Sequence, residues 1–287
     1  ILGISANALD TGWYQFLSSF DTACTIAQFY VAPPVCVSAS IDNLAVSSCD
    51  PLNVVMNNGT DTTQVISYTW DFGDSSPAST AYEPSHLYSA PGVYDVTLSI
   101  VSDDSCPTDT TFIGLVTINQ IPDPVFSADL LEGCIGMSVQ FTNLTDTLTG
   151  TCSWNFGDGS PTSNVCDPAH VFNTDGLFNI ALTVTSPAGC IEDTTISARI
   201  EVYAEPSVSF TSDTIAGCTP LSIQFTNTTP AAQVGSVQWD LGNGVISTDA
   251  APTGTYPDPG TYTVSLLVTH PQGCQAEVIE QDFITSY

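Results

Sequence analysis

The chain has 287 residues, 43% of them hydrophobic, and carries 30 acids against a single basic residue, Arg199, for a net charge of −29. Without lysine, Schiff-base chemistry and Lys–Asn isopeptide cross-links are excluded, and nucleic acid or anionic membranes are disfavoured as partners, with Arg199 the one fixed cation to pair with them. The apolar content is too high for a disordered acidic tail, and the acids fall evenly along the sequence, so the charge belongs to the surface of folded modules.

In chain order, residues 1–34 come first. Trp13–Ser18 and Asp21–Pro34 read as two strands, and the second is similar to Asp109–Pro122 further on. The segment is expected to be the C-terminal half of a preceding module, so that the chain, starting at Ile1 with no visible signal peptide, reads as a mature or excised piece of a longer array. The alternative is that these strands complement a neighbouring subunit. No stretch approaches the roughly 18 apolar residues of a membrane-spanning helix.

From residue 35 a pattern repeats with a period of about 84 residues, giving three modules at 35–121, 122–204 and 205–287. Each carries Trp-Asx-aromatic/Leu-Gly-Asx (Trp70–Asp74, Trp154–Asp158, Trp239–Asn243), then a Pro-led segment ending in an aromatic (Pro84–Tyr88, Pro168–Phe172, Pro252–Tyr256). Gly92, Gly176 and Gly260 follow, each opening an alternating run such as Val93–Leu98. Period-two alternation, β-branched and aromatic content, and Gly/Pro/Asp punctuation predict strands and turns, with no helical stripe. The expected fold is all-β, about seven short strands per module in a two-sheet sandwich. Prolines at the seams (Ile121–Pro124, Ala204–Pro206) predict stiff, extended links.

The ten cysteines follow the same register. Cys49 and Cys106, Cys134 and Cys190, and Cys218 and Cys274 are spaced 57, 56 and 56 apart, which predicts one disulfide inside each module. Cys152 and Cys166 occur only in module 2, where module 1 has Tyr68 and Tyr82 and module 3 approximately Val237 and Ala250. They read as facing positions on neighbouring strands, filled by an aromatic pair in one module and a disulfide in another. Cys24 and Cys36 complete the set. An even, pairable count fits an oxidising extracellular or periplasmic setting, and the lack of close Cys pairs speaks against a metal site. No cofactor is expected. The acidic surface leaves structural Ca²⁺ as a candidate, although no D-x-D-x-D-G loop is present.

The Trp-Asp-Phe-Gly-Asp strand, the Pro-x-His-x-Tyr segment and the Gly-x-Tyr-x-Val-x-Leu strand together resemble the PKD (polycystic kidney disease) domain, in three copies over residues 36 to 287. The third copy departs from the pattern at Leu241, Asn243 and Gly254. The Gly-Cys pairs at Gly133-Cys134, Gly217-Cys218, Gly189-Cys190 and Gly273-Cys274 resemble the disulfide-bearing version found in Bacteroidota surface proteins, including gliding adhesins and other type IX secretion cargo. The resemblance implies tandem Ig-like sandwiches without catalysis, acting as a stalk, adhesive or fibre-forming element at the cell surface. Partners would be other copies or neighbouring modules, a surface polysaccharide, or a host or substratum. Two other readings stay open: the accessory region of a secreted hydrolase, and a carbohydrate-binding module.

No catalytic signature stands against this. His86 and His170 occupy equivalent repeat positions and are expected to satisfy turns; the Asx residues of the Trp motif, interchangeable as Asp or Asn, are expected to bond the backbone; and Trp70, Trp154 and Trp239 are expected in the core. Two kinds of modification site are candidates. Asn58, Asn143 and Asn227 each begin an Asn-x-Thr acceptor, although the repeat favours a structural role for them. Thr22, Thr62, Thr110, Thr147, Thr194 and Thr214 each follow Asp in a pattern similar to a Bacteroidota O-glycosylation acceptor.

Overall fold

The computed structural model describes residues 12–18, 21–31, 36–103, 105–146 and 150–287, with the side chains of 12–31 excepted. The described residues are strands and turns, with two single-turn 3₁₀ segments at Thr62–Gln64 and Ala231–Gln233. They divide into two compact units, residues 1–120 and 121–287.

In the first unit, β1 (Gly12–Ser18) and β2 (Asp21–Val31) pair antiparallel from Gly12↔Val31 to Ser18↔Asp21. Module 1 then contributes β3 (Val46–Ser48), β4 (Leu52–Val55), β5 (Val65–Asp71), β6 (Ser85–Tyr88), β7 (Gly92–Ser102) and β8 (Pro107–Ile118). One sheet has the order β3-β8-β7-β5 and the other β4-β6. In the second unit, module 2 comprises β9 (Phe126–Ala128), β10 (Glu132–Cys134), β11 (Met137–Asn143), β12 (Thr151–Asn155), β13 (Ala169–Phe172), β14 (Gly176–Thr185) and β15 (Ile191–Tyr203). Its sheets are β10-β15-β14-β12 and β13-β11-β9, the expected seven-stranded sandwich. Module 3 repeats it with one short strand added, β20 (Ile246–Ser247), beside β16 (Phe210–Ser212), β17 (Ala216–Gly217), β18 (Leu221–Asn227), β19 (Ser236–Asp240), β21 (Thr253–Tyr256), β22 (Gly260–Thr269) and β23 (Gln275–Ser286).

Alternation sets the burial. Along β14, Ile180, Leu182 and Val184 are fully buried while the residues between them turn outward, and Val264, Leu266 and Val268 do the same in β22. Each core closes around its tryptophan: Trp70, Trp154 and Trp239 have no exposed surface. Each indole N–H donates to a backbone carbonyl, Ala81, Cys166 and Asp249 respectively, at 3.1–3.2 Å. A buried Trp needs that partner, and truncating one would cost about 3–5 kcal/mol. The last hairpin of each module bulges at the same place, between Tyr94 and Val96, Phe178 and Ile180, and Tyr262 and Val264. Three residues face one at each bulge; Asp95 Oδ1 accepts from Gly114 N–H and Asn179 Oδ1 from Ala198 N–H, holding the middle residue of the three at positive φ.

Candidate functional site

The Trp-led strand ends in an Asx turn in all three modules. Asp71 Oδ1 accepts from Gly73 N–H, Asn155 Oδ1 from Gly157 N–H and Asp240 Oδ1 from Gly242 N–H, each at 2.9 Å. Only an acceptor oxygen is needed, which is why Asp and Asn interchange. The glycine is fixed more tightly: φ is +74° to +77°, and a Cβ at Gly157 would meet the Asn179 carbonyl. The second Asx of the motif reaches further. Asp74 Oδ2 lies 2.7 Å from His86 Nε2, and Asp158 Oδ2 2.7 Å from His170 Nε2. Each imidazole stacks flat on the motif's phenylalanine (Phe72 or Phe156, centroids 4.1 and 3.9 Å apart) and makes a T-shaped contact with a second aromatic, Tyr88 or Phe172. The histidines therefore clamp the turn to the neighbouring strand, the structural role expected of them.

The sequence reading missed that the clamp's partner is the second acid. A signal existed: both pairs are separated by the same interval, and module 3 loses both members together. There Asn243 Nδ2 donates instead to the Thr255 carbonyl at 2.9 Å. Burial works against the charged carboxylate of Asp74, but hydrogen bonds from Ser76 and His86 outweigh it and hold its pKa down at about 2. Asp158 is lowered by the same groups in module 2, Ser160 and His170, against the same burial. The cluster does not form a catalytic relay. Ser76 Oγ and Asp74 Oδ2 approach the same His86 nitrogen, at 3.5 and 2.7 Å, whereas a base must be held at one nitrogen and act through the other. Among the described residues, no group of three or more His, Cys, Asp and Glu is arranged to hold a metal ion.

The cysteines depart from expectation. Cys106 bonds Cys36 and not Cys49; Cys134 bonds Cys274 and not Cys190, with Cα–Cα 5.5 Å in both bridges. Cys218, expected to bond Cys274, is an exposed free thiol. Cys49 and Cys190 are disulfide-bonded as well. Cys24, expected to pair with Cys36, has its side chain outside the described residues. The physical reason is strand length. Cys134 ends β10, which runs parallel to β15 with Cys134 opposite Tyr203, while Cys190 immediately precedes Ile191 at the other end of the same strand. Thirteen residues at about 3.3 Å each put the two cysteines roughly 40 Å apart, against the 7 Å limit for a disulfide. Cys218 and Cys274 are separated in the same way by β23, and Cys49 and Cys106 by β8. The two repeated cysteines sit at opposite poles of a module, so Cys134 reaches the next module. Cys152–Cys166 forms as expected, Cα–Cα 5.1 Å, and its counterparts Tyr68 and Tyr82 meet edge-on, centroids 5.4 Å apart.

A family model described as PKD domain matches residues 31–115, 121–202 and 203–285. The chain belongs to the PKD domain family. Among solved structures it is similar to the PKD1 domain of Vibrio anguillarum Epp, with 29% identity, 29% of this chain and 96% of that one covered, and a TM-score of 0.25. It is also similar to the PKD1 domain of the Vibrio cholerae metalloprotease PrtV, at 31% identity, 28% and 98% coverage and a TM-score of 0.25. The titin I-band fragment I67–I69 aligns over 88% of this chain and 100% of its own, at 6% identity and a TM-score of 0.48. The protein is thus three tandem PKD domains, modules that are typically extracellular, structural or accessory, and non-catalytic. No helix among the described residues is long and apolar enough to cross a membrane.

The remaining candidate residues fall within these PKD modules. Asn58, Asn143 and Asn227 each accept, through Oδ1, the backbone N–H of the threonine two residues on, at 2.9–3.0 Å. Those threonines in turn accept from Ser40, Val125 and Ser209 N–H. Asn58 Nδ2 donates inward to the Tyr82 carbonyl and Asn143 Nδ2 faces Cys152 Sγ, so a glycan on either would first have to release the amide. Thr62 is exposed, Thr110 and Thr194 are half-buried on β8 and β15, and the Thr214 hydroxyl donates to the Ala216 carbonyl. Thr147 and the side chain of Thr22 lie outside the described residues. Where modules 1 and 2 carry their Tyr–Tyr and Cys–Cys pairs, module 3 has Val237 and Ala250 lining an open hollow of about 760 Å³ with Thr229, Gln238, Leu267 and Gln275.

Proposed function

We propose that these PKD modules form a structural stalk or fibre element of a larger extracellular bacterial surface protein, serving reach and adhesion. The observation that carries this reading is the Cys134–Cys274 bridge, which ties one module to the next. A covalent tie at a seam has no use in a site for small molecules; it resists separation of modules under tension. The uniformly anionic surface fits the same role, because self-repulsion keeps such modules soluble and apart. The Bacteroidota-type adhesin context, with neighbouring modules, other copies or a surface polysaccharide as partners, belongs to this reading. Immunogold electron microscopy of intact source cells, with antibody raised against the 287-residue chain, tests it. Gold on extended material outside the envelope is the expected result; gold seen only after lysis overturns the proposal.

A further inference from the structure

We propose that Cys218 is the acceptor thiol for one more inter-module disulfide, with a further PKD module presenting a Pro-x-Gly-Cys turn. The proposal rests on the structural reading of the chain and adds the chemistry by which its modules are joined.

Module 3 presents at Cys218 the edge that module 2 presents at Cys134. Gly133 pairs with Val202 and Ile135 N–H donates to the Tyr203 carbonyl at 3.1 Å; Gly217 pairs with Ser286 and Thr219 N–H donates to the Tyr287 carbonyl at 3.0 Å. Cys134 thus stands beside Tyr203, the last residue of β15, and Cys218 beside Tyr287, which follows β23. In module 2 that edge is occupied. Cys274 is bonded to Cys134, its Sγ lies 4.0 Å from the Tyr203 carbonyl, and the Tyr203 ring is 6.3 Å from that of His270. At the module 3 edge Cys218 is an exposed free thiol. The equivalent residue of each preceding module is bridged: Cys134 is, and so is its module 1 counterpart Cys49.

The occupant is defined by the turn that fills the module 2 edge. At His270-Pro271-Gln272-Gly273-Cys274, Gly273 N–H donates to the His270 carbonyl and His270 N–H to that of Cys274, with Gly273 at φ +91°. Ser186-Pro187-Ala188-Gly189-Cys190 repeats both bonds, with Gly189 at φ +87°. The motif holds its cysteine buried at the pole of a module, and from it Cys274 reaches the edge of module 2 at Cys134. Cys190 and Cys274 are both already bonded, so neither turn of a second copy is free to serve, and the geometry points to an additional module. Bond formation joins the two sulfurs, releases two protons and passes two electrons to a disulfide oxidant, such as oxidised glutathione or a dithiol oxidase, which leaves as two thiols.

The test extends the full chain after Tyr287 with a second copy of residues 205–287, oxidised in a glutathione buffer and mapped by proteolysis without reduction. The expected product links Cys218 to the appended copy of Cys274 in nearly every molecule, and Cys218→Ala leaves that appended cysteine open to alkylation. A second extension with residues 121–204 repeats the test through the appended copy of Cys190, in case the first module folds poorly. Cys134–Cys274 in the same sample reports that the chain itself is correctly oxidised. If Cys218 stays alkylatable in both extended chains while Cys134–Cys274 is intact, or if the unextended chain instead dimerises through Cys218–Cys218, the proposal fails. Linkage is read by mass and surface location by microscopy, so either can fail without the other.

Discussion

Replacing Cys134, a residue of module 2, should destabilise module 3. The bridge Cys134–Cys274 spans 140 residues, about half of them in each module. If module 3 opens while module 2 stays folded, the bond closes a loop of about 70 residues, worth about 4 kcal/mol on the chain-entropy model. Opening of module 2 alone is opposed by a loop of similar size. A bridge inside module 2, between Cys134 and Cys190, would contribute about as much to module 2, so overall stability cannot separate the two connectivities. Location can. With Cys134→Ala, amide exchange of the buried strand around Val264, Leu266 and Val268 should accelerate by about a thousandfold, the factor equivalent to about 4 kcal/mol. The strand around Ile180, Leu182 and Val184 should accelerate similarly. Hydrogen exchange of the oxidised chain, read by mass spectrometry on peptides from the two strands, makes the measurement. Faster exchange confined to the module 2 strand would refute the inter-module bridge and the pole-to-pole argument beneath it.

Gly157→Ala should cost at least about 1 kcal/mol more than Gly136→Ala in calorimetric unfolding. Both glycines have positive φ, for which alanine costs about 1–2 kcal/mol, but a Cβ at Gly136 meets nothing within 4 Å while one at Gly157 meets the Asn179 carbonyl. The depressed pKa of Asp74 contributes stability that is complete above the unfolded carboxylate value near 4 and is lost as pH falls through about 2. In urea titrations, the advantage of the native chain over Asp74→Asn should therefore shrink by about 2 kcal/mol between pH 5 and pH 2, and a constant difference would remove the Asp74–His86 clamp from the account. Because the Asn58 and Asn143 amides are engaged inside the fold, the intact mass of native protein should show no N-glycan at these two positions; a hexose-sized increment mapped to either would contradict it.

Much of the fold was legible because the repeat isolates what each position must do. A Trp with an acceptor carbonyl, a glycine at positive φ and an interchangeable Asx are local requirements, and local requirements leave local patterns. The facing pair at Cys152 and Cys166 was legible for the same reason, since Tyr68 and Tyr82 fill the same space. The disulfide partners were not, because separation along the chain does not measure distance across a sandwich. In a tandem repeat, a cysteine interval of 56 residues inside one module and one of 140 across two are the same pattern read in two registers. Choosing between them requires knowing that the strand after each late cysteine runs the full height of the module before it meets the Gly-Cys edge. β15 does so over thirteen residues. A strand half as long would still separate the two sulfurs by about 20 Å, so a sandwich built on this parallel edge pairing cannot join its two repeated cysteines to each other: Cys134 bonds Cys274 of the next module, and Cys106 bonds Cys36.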